Sequence, residues 1–136
     1  MKNSLLITIF SLVMSFQAMA QFGYDEYIRK DGLKISTKWS KAKNEEGEKK
    51  PALLFAIENL NDYHVDFSFE ILLYYEGLLK ENGVIENECL ESRKSLVGKL
   101  NGIYFIPEKF TEQQLKNSDF NFEVESIMVE ETENCE

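Results

Sequence analysis

Apolar and polar side chains alternate with a period of two along most of this chain, the pattern of half-buried strands rather than helices. The clearest run is 65–75. Its odd positions are Val65, Phe67, Phe69, Ile71, Leu73 and Tyr75, and its even positions are Asp66, Ser68, Glu70, Leu72 and Tyr74. A strand so long and two-faced needs a second sheet against its odd face. Residues 33–40 repeat the pattern, with Leu33, Ile35, Thr37 and Trp39 opposite Lys34, Ser36, Lys38 and Ser40. The stretch 41–51 is polar, charged and closed by Pro51, which predicts a solvated loop. Residues 52–60 then read as an apolar strand, and Asn61-Asp62 as the turn that folds it back on its successor.

Gly77 and Asn82-Gly83 predict turns around a short strand at 78–81. Further strands are expected near 95–100 and at 103–106, the second stopped by Pro107. In the last strand, about 120–130, the inward set passes from Phe120, Phe122 and Val124 to Ile127 and Val129, and that change of parity predicts a bulge near Ser126. Thr111-Glu112-Gln113-Gln114 has the order of a capping box, enough to begin one helical turn through Leu115. Short strands, frequent turns and almost no helical period predict one all-β domain, an antiparallel sandwich of about seven strands.

Residues 1–20 break the alternation. Lys2 precedes an apolar run from Leu5 to Phe16, and Ala18-Met19-Ala20 follows it. That order predicts a secretory signal peptide, because about 12 apolar residues fall short of the ~20 needed to span a bilayer. Small side chains at Ala18 and Ala20 place cleavage before Gln21, so the domain is expected to be 21–136. No cysteine lies near that point to carry a lipid anchor, and no later apolar run is long enough for a membrane span. An extracytoplasmic protein, periplasmic or secreted, without membrane insertion after cleavage, is the expectation.

A resemblance adds to this reading. Ala56-Ile57-Glu58-Asn59-Leu60, followed by Phe69-Glu70-Ile71-Leu72-Leu73-Tyr74-Tyr75-Glu76-Gly77, resembles small exported bacterial immunoglobulin-like domains of the FxLYD kind, over about 52–107. In those domains an Asn ends one strand and an aliphatic-Leu-Tyr-Asp-x-x-Gly pattern ends the next. Here Tyr75 stands where the acidic residue would be, and the glycine comes early. The resemblance implies an immunoglobulin-like sandwich of an adhesive or accessory kind, and it brings no catalytic residues.

Charge narrows the partners. The chain carries 15 basic and 24 acidic residues, and loss of Lys2 with the leader changes the formal charge from −9 to −10. Without a basic stripe, nucleic acid is excluded as a partner and anionic lipid is disfavoured. A protein partner that is basic, or that offers an apolar contact, fits better. Cys89 and Cys135, in an oxidising compartment, read first as one disulfide. Metal ligation, for which there is no CxxC, and a free thiol pair are the alternatives.

No motif points to a cofactor or a catalytic centre. His64 is the single histidine; with Asp62 and Asp66 it has the spacing of a metal site or proton relay, but solvated side chains at a strand start are the stronger reading. Glu123, Glu125, Glu130, Glu131 and Glu133 serve solubility in the simplest reading, and calcium binding in a second. The candidate binding surface follows from parity. Leu72 and Tyr74, with Tyr104 and Ile106 of a strand expected to lie beside theirs, would form an outward apolar patch rimmed by Asn121, Glu123 and Glu125. The competing expectation is that Phe110 and Leu115 cover that patch. A non-enzymatic binding or accessory module is the leading functional expectation. An acidic inhibitor or immunity protein against a basic enzyme, and a subunit assembling by strand addition, are the others.

Overall fold

The structure is a computed structural model that describes residues 23–136. The expected leader, with Ala18, Ala20 and Gln21 at its cleavage point, lies outside the described residues.

Eight antiparallel strands form two sheets: β1 (Asp25–Lys30), β2 (Leu33–Lys43), β3 (Lys49–Asn59), β4 (His64–Tyr75), β5 (Leu78–Leu90), β6 (Ser95–Val97), β7 (Tyr104–Phe105) and β8 (Phe120–Thr132). Two single helical turns, α1 (Gly98–Asn101) and α2 (Glu112–Leu115), interrupt them. Sheet I runs β1-β2-β3, with β6 and β7 both on the far side of β3; sheet II runs β5-β4-β8. The expected all-β antiparallel sandwich is therefore present, with β1 as an eighth strand that periodicity did not reveal.

The long alternating strand does what its pattern demands. Val65, Phe67, Phe69, Ile71 and Leu73 of β4 are buried against Leu33 and Ile35 of β2 and Leu53, Phe55 and Ile57 of β3. The bulge near Ser126 is also present: Ser126 has φ +53°, and the β4–β8 register jumps between Ser68 and Glu70. Thr111 caps α2 reciprocally, its hydroxyl accepting from the Gln114 N–H while its own N–H donates to the Gln114 side chain. Cys89 and Cys135 are joined, with Cα atoms 5.5 Å apart. Because β5 and β8 flank β4, this bond straps the C-terminal tail across the start of β4. Restricting that loop in the unfolded chain stabilises the fold by about 4 kcal/mol in the chain-entropy treatment.

Four local expectations are corrected. The 41–51 segment is no open loop: β2 and β3 continue through it, pairing Lys41 with Pro51 and Lys43 with Lys49, and only 44–48 turns. The charges point to solvent while Ala42 and Ala52 pack beneath Leu54. Asn61-Asp62 makes no hairpin, because β3 and β4 belong to different sheets and the segment is a corner between them. Asn82-Gly83 makes no turn either. It lies within β5, where Gly83 is directly opposite Ile71 and a Cβ would stand 2.4 Å from the Phe105 ring. Glycine is needed there for close packing between the sheets. Finally, the 95–100 strand ends at Val97, because Gly98, at φ +39°, starts α1 directly under the Tyr24 hydroxyl.

Side chains from the other sheet reach the free edge of β8 at two points. The Val124 N–H donates to the Tyr27 hydroxyl (3.2 Å), and the Lys30 ammonium donates to the Ile127 carbonyl (3.0 Å). Two backbone groups of that edge are thereby paired.

Candidate functional site

The two halves of the expected patch are on opposite sides of the molecule. Tyr104 pairs with Leu54 in sheet I, whereas Leu72 and Tyr74 are in the central strand of sheet II. The parity was right and the adjacency was wrong. The strand at 103–106 shortens to two residues and continues the line of β6 on β3, so β8 takes the place beside β4. Tyr104 and Ile106 pack on Ala42, Ala52 and Leu54, forming a small secondary core on the outside of sheet I. Phe110 and Leu115 do not cover the expected patch: Phe110 plugs the end of the main core against Tyr75 and Phe120, and Leu115 lines a cleft beside Trp39.

Leu72 and Tyr74 remain half-buried on the outer face of sheet II, and the register supplies neighbours that the sequence had hidden. Tyr74 is opposite Leu79 of β5 and Asn121 of β8; Leu72 is opposite Asn82 and Glu123; Glu70 is opposite Val84 and Glu125. Directly opposed residues point to the same face. Leu79 and Val84 are about half exposed, at 53% and 49%. An apolar strip of Tyr74, Leu72, Leu79 and Val84 thus lies against a ridge of Glu70, Glu123 and Glu125, with the rim residues Asn121, Glu123 and Glu125 where expected. Two open hollows indent the same face, one of about 290 Å³ beside Tyr74 and Glu123 and one of about 350 Å³ between Asp66, Asn87 and Met128.

The electrostatics of this face are one-sided. Asp66, Glu70, Glu123, Glu125 and Glu130 share the outer face, and the strands of sheet II as a whole hold one basic residue, Lys80. Those of β1, β2 and β3 hold eight basic residues against three acidic ones. Among the described residues six ion pairs form, Arg29–Glu26, Lys34–Glu58 and Arg93–Asp62 among them, and none involves a carboxylate of sheet II. The crowding perturbs titration. Glu125 is held above the ordinary carboxylate range, first by a hydrogen bond to Glu123 that its protonated form can make, then by partial desolvation and by the charges of Glu123 and Glu70. Tyr74 is raised first by partial desolvation and then by the charges of Glu123 and Glu125. Ser126, at the bulge, turns its hydroxyl toward Glu70 (3.4 Å).

His64 serves the fold. Its Nδ1 accepts the Ser92 N–H at 2.9 Å, and the neighbouring Asp62 is engaged by the Arg93 guanidinium. Among the described residues no group of three or more His, Cys, Asp and Glu is arranged to hold a metal ion, and no helix is long and apolar enough to cross a membrane. No family model, curated protein or solved structure matches this chain.

Proposed function

We propose that this chain is an exported, non-enzymatic binding module of the FxLYD-like kind, whose domain captures a basic protein partner on the outer face of sheet II. One observation carries the reading. The carboxylates of that face repel one another, find no cation within the described residues, and border an apolar strip anchored by Tyr74. A partner bearing Lys or Arg beside an apolar side chain would relieve the repulsion and cover the strip together. The Cys89–Cys135 bond supports an oxidising compartment. Neutralising a cationic enzyme is one form this function takes, since a strongly acidic face accelerates encounter with such a target. Against strand addition at β8 stand Tyr27 and Lys30, which occupy the Val124 N–H and the Ile127 carbonyl of its edge.

Capture from an envelope extract, repeated across a salt series, tests the proposal. Binding should fall steeply as salt rises. Tyr74→Ala should weaken it by about tenfold or more, because truncating an aromatic anchor typically costs over about 1 kcal/mol. Thermal stability should barely change. Capture indifferent to both salt and Tyr74 would sink the idea.

A further inference from the structure

Trp39 lies on the inward side of β2, yet it is 37% exposed, because β2 and β3 run on past the end of the core. Phe120 and Phe122 meet the indole at steep angles, with centroids 5.8 and 6.2 Å away, and fix its orientation. Next to it opens a cleft of about 440 Å³. Trp39 and the Pro51 ring give it an apolar lining, and Leu115 of α2 adds an aliphatic side. At its margin Lys41 and Lys116 share a single carboxylate, Glu112, at 3.7 and 3.5 Å. The cleft is thus apolar within, rich in hydrogen-bonding groups at the rim, and left with one surplus positive charge. Its size is that of a small-molecule site.

We infer that this cleft binds an acidic sugar, a pyranose ring carrying a carboxylate. A pyranose has a face of C–H bonds that matches the indole and proline surfaces, while its hydroxyls lie at the edge, where Glu112 and the two ammonium groups can meet them. The sugar carboxylate answers the surplus charge of Lys41 and Lys116 over Glu112. A neutral sugar leaves that charge unanswered, and a purely apolar ligand leaves the polar rim unused. The cleft is built from β2, β3 and α2 and shares no residue with the face of sheet II, so the two readings stand or fall separately.

Trp39 is the only tryptophan in the chain, so its fluorescence reports on this cleft alone. The purified protein is titrated with a galacturonate trisaccharide, with the neutral galactose trisaccharide, and with benzoate as a carboxylate on a different ring. The expected result is a saturable change in emission with the uronate, and binding about tenfold weaker for the neutral sugar, roughly the effect of losing one charged contact. Lys41→Gln with Lys116→Gln should erase that preference while the circular dichroism spectrum and melting temperature stay unchanged. No saturable change up to about 10 mM, beyond the range of even weak specific binding, would overturn the inference. Equal responses to the acidic and neutral sugars, or saturation by benzoate alone, would overturn it as well.

Discussion

Asn59→Ala is expected to destabilise the protein by about 3–4 kcal/mol, a large fraction of the stability of a domain this size. The Asn59 side chain is fully buried at the end of β3 and joins two corners of the sandwich. Its amide nitrogen donates to the carbonyls of Tyr63 (2.8 Å), Leu90 (3.2 Å) and Glu91 (3.2 Å), and its oxygen accepts the Asn61 N–H (3.0 Å). Alanine leaves those backbone groups without their partner where water enters poorly, at about 1–3 kcal/mol for each group left unsatisfied. Asn59→Asp keeps the shape but sets a carboxylate against three carbonyl oxygens, and it should cost at least as much at neutral pH. Urea unfolding measures both. A loss under about 1 kcal/mol for either variant would show that the corner holds by other means.

Gly83→Val is expected to cost about 2–3 kcal/mol, the upper part of the range for overpacking. The reason is steric and specific to Phe105, whose ring atoms would lie 2.4 and 2.6 Å from the new Cβ. Gly83 does not have a positive φ, so backbone strain contributes nothing. The two sites should therefore couple. Phe105→Leu in the Gly83→Val background should cost clearly less than in the wild type, and a double-mutant cycle reads the difference. Strict additivity would mean that the glycine serves β5 itself and not the contact between sheets.

Gly83 also shows how far the sequence could be read. Asn-Gly is a strong turn signal when only neighbours along the chain are considered. Here the glycine answers a side chain 22 positions away, on β7, and no local pattern carries that information. Breaking β5 at this point hid Val84 and left Leu79 without a place, so half of the apolar strip on sheet II went unseen. Glu70 was seen on the correct face of β4, but its approach to Glu125 depends on the bulge at Ser126, whose position was legible and whose register was not. The features that did read directly were those set by local periodicity or local chemistry: the inward face of β4, the Thr111 capping box, the outward direction of Leu72 and Tyr74, and the pairing of the only two cysteines. Which strands lie side by side was decided instead by the break at Gly98, which keeps Tyr104 on β3 and leaves the place beside β4 to β8.

On the proposed function, Glu70, Glu123 and Glu125 are held together at a cost to the fold because they serve binding. Since the folded-state pKa of Glu125 is raised, the stability linked to its proton is present below the ordinary carboxylate range and is lost as pH rises through the raised value. At neutral pH the ionised Glu125 therefore detracts from the stability of the fold. Glu123→Gln with Glu125→Gln, examined for both melting temperature and partner capture, tests this most directly. The expected result is a higher melting temperature at neutral pH, an advantage that disappears in acid, and capture of the basic partner weakened by about tenfold or more. A lower melting temperature with capture unchanged would contradict it.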